Sequence, residues 1–103
     1  MDVELLVVPD CPHETSAYDL TLTALAELDI AASVAVTVIE SDDQARERGF
    51  TGSPTFLIDG RDPFAEPDSA VGLACRMYRT QSGLAGVPGL DALREKLRRS
   101  ALA

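Results

Sequence analysis

The chain predicts an α/β fold of order βαβαββα, a four-stranded mixed sheet flanked by helices, in one domain spanning residues 1–103. Three observations lead there. Residues 5–8 (Leu-Leu-Val-Val) form a continuous apolar run, as a central strand covered on both faces requires. Residues 13–29 carry Ala17, Leu20, Ala24 and Leu28 at spacings of three and four, the period of an amphipathic helix. Residues 33–39 and 55–58 are rich in β-branched and aromatic side chains and are bounded by turn formers.

The elements follow in order. Pro9 and Asp10 stop the first strand, and Pro12 suits a helix start, where a missing N–H costs nothing. The helix over 13–29 adds Tyr18, Leu22 and Leu25 to its apolar stripe. Thr15, Ser16, Asp19, Thr21, Thr23 and Glu27 fall on its wetter side. Residues 33–39 give a second strand, parallel to the first through a right-handed crossover. Ser41-Asp42-Asp43 offers an N-cap for a short helix over 44–48, stopped by Gly49. Turn-rich residues 50–54 lead into a third strand at 55–58, closed by Asp59-Gly60. Residues 61–73, with Pro63, Pro67 and Gly72, form a long loop in which Phe64 serves as an anchor. Residues 73–80 read as a fourth strand, residues 81–83 as a turn. From Leu90 a last amphipathic helix carries Leu93 and Leu97, with Arg94, Lys96, Arg98 and Arg99 late, where the helix dipole favours cations.

Composition narrows the function. The formal net charge of -8 argues against nucleic acid or an anionic membrane as partner. No apolar run approaches the roughly 20 residues that span a bilayer. The N-terminus has no basic region, long apolar segment or small-residue cleavage site, so the expectation is a cytoplasmic protein. Two cysteines and one histidine, far apart, write no zinc pattern. In a reducing compartment the two thiols are expected to be reduced, redox-active or metal-linked before they are a structural disulfide. Nothing in the sequence fixes the oligomeric state.

Cys11 carries the chemical interest. It falls where the first strand meets the first helix, at or beside the N-cap, where free N–H groups and the positive end of the dipole favour a thiolate. That element order, with a cysteine at this junction and Gly52-Ser53-Pro54-Thr55 before the third strand, resembles the thioredoxin superfamily in its compact, glutaredoxin-like form. Cys11-Pro12-His13-Glu14 sits where that family has Cys-x-x-Cys. Ser53-Pro54-Thr55 sits where it has a proline whose preceding peptide bond is cis, an isomer found in about 5–6% of X-Pro bonds. The resemblance implies that Pro12, Ser53, Pro54 and Thr55 shape the substrate site, and that the Ser53 backbone pairs with a bound peptide or thiol substrate. Residues 52–60 and 72–78 are also similar to those of small bacterial proteins labelled thioredoxin-like or alkylmercury lyase.

One departure matters. Glu14 stands where the family's second cysteine would be, so a dithiol cycle within the motif cannot run. A monothiol route remains: Cys11 attacks, and glutathione, another low-molecular-weight thiol or a second cysteine resolves. Glu14 places a carboxylate near Cys11 and opposes the thiolate; a protonated His13 supports it, although a first-turn histidine is also an ordinary solvated side chain. Cys75 is the other thiol. With strand four antiparallel to strand three, Cys75 pairs near Ile58, about 10 Å or more from Pro54. That exceeds the roughly 7 Å between Cα atoms that a disulfide tolerates. On this register Cys75 is a buried strand cysteine; the alternative is a resolving thiol that the 61–73 loop delivers. Arg61, Arg76 and Arg79 suit an anionic group such as a glutathione carboxylate, or act as surface charge.

Three functions stay open on the sequence. The first is a monothiol thiol-disulfide oxidoreductase using Cys11, with no bound cofactor and a thiol or disulfide, protein or small molecule, as partner. The second is capture or cleavage of a mercurial, with Cys11 and Cys75 as soft ligands and His13 or Glu14 as proton donor. The third is a thioredoxin-like binding module without redox chemistry.

Overall fold

The computed structural model describes residues 1–66 and 70–102. It is a mixed α/β structure of three helices around a three-stranded mixed sheet. The elements are β1 (Val3–Val7), α1 (Glu14–Glu27), β2 (Val34–Val38), α2 (Asp42–Arg48), β3 (Thr55–Ile58), β4 (Tyr78–Thr80), β5 (Gly83–Ala85) and α3 (Leu90–Leu102). β1 lies in the centre of the sheet, ordered β2-β1-β3. It runs parallel to β2, with Leu5 opposite Val36, and antiparallel to β3, with Leu5 opposite Phe56. The central position explains the unbroken apolar run: alternate β1 side chains enter two separate cores. Val3 and Leu5 join Phe56, Ile58, Ala17, Ala24, Leu25, Leu93 and Leu97 under α1 and α3. Leu6 joins Ile39, Ala45, Phe50 and Leu57 under α2.

The local signals for the helices are realised with modest shifts. Ser41 caps α2, its Oγ accepting from the Gln44 N–H at 3.2 Å, and Gly49 ends it in the left-handed region at φ 62°. In α1 the buried face is rotated from the periodic reading. Thr21 is buried and its hydroxyl donates to the Ala17 carbonyl at 2.8 Å, whereas Leu22 is exposed. A short hydroxyl that bonds back to its own helix passes into a core as a small apolar group does.

The expected fourth strand is the main difference. Residues 73–80 do not extend the sheet. β4 pairs antiparallel with β5 in a separate two-stranded hairpin, and ahead of it the chain touches the main sheet's margin at one parallel bridge, Ser53 with Cys75. The reason lies in the side chains. Arg76 and Tyr78 alternate inward, and they bind the 61–66 loop and the Pro54 carbonyl instead of a strand edge. Phe64 acts as the anchor the sequence suggested, edge-on to Tyr78 at 5.4 Å and to Phe56 at 6.1 Å. Pro67, counted into that loop, lies outside the described residues. Among the described residues no helix is long and apolar enough to cross a membrane.

Candidate functional site

β1 delivers the chain to the site. After Val7 the backbone turns through Pro9 and Asp10, the latter at φ 57°, and reaches Cys11. Residues 11–14 make a turn, closed by the Glu14 N–H donating to the Cys11 carbonyl at 3.3 Å. Pro12 occupies its second position, where the fixed φ of proline suits the bend. The first helical residue is Glu14 and the cap is His13, so Cys11 stands two residues ahead of the N-cap, not at it. The dipole acts from farther away than the sequence suggested, and a specific hydrogen bond supplies the nearest polar contact.

That contact comes from Ser53. Its hydroxyl donates to Cys11 Sγ at 2.9 Å, and the same oxygen accepts from the Val8 N–H at 3.1 Å. With a lone pair engaged by Val8, the Ser53 proton is directed at sulfur, a short chain that runs backbone to hydroxyl to thiol. Ser53 is fully buried, while Cys11 is half-buried: the donor is held in the interior beside a partly exposed cysteine. Ser53 and Thr55 flank Pro54, and the Ser53–Pro54 peptide bond is cis. Thr55, also buried, spends its hydroxyl on the Gly52 carbonyl at 2.5 Å and so braces this turn.

Sequence reasoning gave Ser53 a backbone role towards a bound partner. The structure commits both of its backbone groups internally. The Ser53 N–H donates to the Ala74 carbonyl at 2.8 Å, and the Arg76 N–H donates to the Ser53 carbonyl at 3.0 Å. Residues 72–78 thus lie as a strap along residues 50–54, begun by the Gly72 N–H on the Phe50 carbonyl at 3.2 Å. Gly52 makes the close approach feasible. Its φ is +134°, and a Cβ built there would lie 2.8 Å from Arg76 Cβ.

The strap is pinned by a buried ion pair. Arg76 donates to Asp62 Oδ2 and to the Phe64 carbonyl, both at 2.6 Å, and its guanidinium lies 4.7 Å from the Tyr78 ring centroid. Arg76 and Asp62 are only 9% and 12% exposed, so this is an interior pair. Arg76 is therefore neither free surface charge nor a free anion ligand; Arg61 and Arg79 remain exposed. Tyr78 closes the strap by donating its hydroxyl to the Pro54 carbonyl. Burial pushes its phenol well above the ordinary tyrosine range, partly offset by Arg76 and reinforced by Asp62.

The register expected for Cys75 is overturned. Cys75 pairs with Ser53, one residue from Pro54, not with Ile58, and it is exposed, not buried. The Arg76–Asp62 pair sets this register, and no local sequence signal reports an ion pair between residues 14 apart. Both thiols are free, and both lie beside Ser53: Cys11 through its hydrogen-bonded sulfur, Cys75 as the residue opposite Ser53 in the bridge that Ala74 and Arg76 make.

His13 and Glu14 are not brought into contact with the sulfur. Among the described residues the Cys11 thiol has its hydrogen bond from Ser53 alone. The His13 ring rests on Gly86, in the β5–α3 connection, where an added Cβ would strike the imidazole. Glu14 lines a shallow groove with Tyr18 and Val36 beside β2. Among the described residues no group of three or more His, Cys, Asp or Glu side chains is arranged to hold a metal ion. Neither a protein-family model, nor a curated protein, nor a solved structure matches the chain.

Proposed function

We propose that this chain is a thioredoxin-like domain of the glutaredoxin type acting as a monothiol thiol-disulfide oxidoreductase. Cys11 is its nucleophile and a low-molecular-weight thiol such as glutathione its co-substrate. The Cys11 thiolate attacks a disulfide sulfur and displaces one thiolate, leaving a mixed disulfide on Cys11. A glutathione thiolate then attacks the outer sulfur of that bond, which returns Cys11 and releases the second half as a new disulfide. The fold part of the reading draws on the parallel β1-α1-β2 unit, the antiparallel β3, and the Ser53-Pro54 turn set beside the β1–α1 junction.

One observation carries the chemistry: a buried hydroxyl, itself oriented by a backbone N–H, donates to the Cys11 sulfur at 2.9 Å. A donor already fixed on the sulfur is in place to hydrogen-bond the thiolate as it attacks, without any reorganisation of the site. The test is alkylation of the native protein with iodoacetamide at neutral pH, each cysteine read by peptide mapping. Cys11 is expected to react faster than free cysteine, and Ser53→Ala to slow it about threefold, since roughly half of the effect of a charge-assisted hydrogen bond of about 1.5 kcal/mol is offset by the greater nucleophilicity of the unbonded thiolate. A Cys11 that stays slow at every pH up to about 9 would rule out the nucleophile.

A further inference from the structure

We infer that Cys75 is the resolving thiol of this site, closing an intrachain disulfide with Cys11 across Ser53. The inference rests on Cys11 being the nucleophile and supplies the second sulfur that Glu14 denies to the motif.

The argument is geometric. A parallel bridge holds its two residues about one strand spacing apart, roughly 4.8 Å, with their side chains on the same face of the ladder. Ser53 and Cys75 are such a pair. The Ser53 side chain is the one that touches Cys11 Sγ, so the Cys75 side chain leaves the backbone on the side where Cys11 lies. A disulfide requires Cα atoms within about 7 Å. Ser53 is the shared neighbour of both sulfur-bearing residues, and closing the remaining gap falls to the segment that carries Cys75. The adjustment is available because Cys75 is exposed and sits outside the named strands, tied to the main sheet's margin by one bridge. Arg76 and Gly72 hold the strap on either side, so the segment cannot wander far while Cys75 shifts.

The step balances with a low-molecular-weight disulfide, such as oxidised glutathione, as oxidant. The Cys11 thiolate attacks it, one glutathione thiolate leaves, and Cys11 carries the glutathionyl group. The Cys75 thiolate then attacks the Cys11 sulfur, the second glutathione leaves, and the Cys11–Cys75 bond forms. One disulfide is reduced to two thiols while two protein thiols are oxidised to one disulfide, with the two protons released to water or to the leaving thiolates.

The experiment is intact-mass analysis and non-reducing peptide mapping after oxidised glutathione is added to the reduced protein, its Cys75→Ser variant and its Cys11→Ser variant. The expected result is a wild type that loses two hydrogens, holds no glutathionyl group and yields a peptide linking residues 11 and 75. Cys75→Ser should instead accumulate one glutathionyl group on Cys11, and Cys11→Ser should show no fast reaction. If wild type and Cys75→Ser hold the Cys11 adduct to the same extent, the resolving role is overturned while the nucleophile stands. If the linked peptides come from chain-to-chain dimers, the intrachain role is likewise overturned. If Cys11 takes no glutathionyl group in either protein and no disulfide forms, the nucleophile fails and the inference fails with it.

Discussion

The two cysteine-bearing segments reach the same residue by opposite means. Cys11 stands on a short turn between the central strand and the first helix, and regular elements fix it on both sides. Cys75 stands on the strap, tied by one backbone bridge and a few flanking hydrogen bonds and anchored by a buried arginine–aspartate pair that belongs to neither helix nor strand. Position set by repeated backbone pairing is spread over many weak bonds. Position set by one interior ion pair is concentrated, and it fails when either partner is removed. Substitutions confined to the strap should therefore disturb Cys75 and leave Cys11 near its native behaviour.

The largest effect is expected from Asp62→Ala. It leaves the Arg76 guanidinium buried with, among the described residues, only the Phe64 carbonyl and a distant Thr51 hydroxyl as acceptors, at a cost of about 3 kcal/mol in urea unfolding. In the folded variant, alkylation of Cys11 should stay within about twofold of wild type while closure to Cys75 is lost. If both properties fall together, the two segments are one unit and the contrast breaks. Gly52→Ala comes next. Its Cβ meets Arg76 Cβ at 2.8 Å on a backbone at φ +134°, a conformation that costs about 2 kcal/mol for a residue with a side chain. Urea unfolding reads that cost, and no stability change would show that the strap does not depend on close approach at Gly52.

The smallest effect at neutral pH, about 1 kcal/mol for the lost Pro54 bond, is expected from Tyr78→Phe. Its signature lies at alkaline pH. The folded phenol titrates above the unfolded value of about 10, so unfolding above that pH releases a proton. The stabilisation is complete below about pH 10 and is lost as pH rises towards the folded value. Unfolding midpoints between about pH 9 and pH 11 should fall more steeply for wild type than for the phenylalanine variant; parallel slopes would place the phenol in contact with water.

The same contrast governs what was legible in the sequence. The β1 apolar run, the Ser41 cap, the Gly49 stop and the apolar repeat in the last helix are local signals, and each element formed within a few residues of its reading. The strap was not legible, because Arg76–Asp62 and Tyr78–Pro54 are side-chain contacts made by folding, with no period to announce them. β5 was missed for a different reason: three residues beginning with glycine hold no strand pattern. At the candidate site, Cys11 and the Ser53-Pro54 turn, which the structure places in contact, are both marked in the sequence, but the Ser53 hydroxyl was overlooked in favour of its backbone. A hydroxyl residue within a run otherwise bound for the interior was the available hint, since a buried hydroxyl needs a partner.

The strap's hold on the Ser53 backbone also bears on the size of molecule that can approach the cysteine. An extended peptide seeking the Ser53 N–H and carbonyl meets a resident competitor, because Ala74 and Arg76 already occupy both. To dock as a neighbouring strand it must first displace a segment anchored in the interior by a guanidinium. A tripeptide-sized thiol asks for no strand pairing and needs only access to the half-buried Cys11. Under the proposed function, the arrangement would discriminate by the manner of attachment, favouring small thiols over long chains before any side-chain recognition begins.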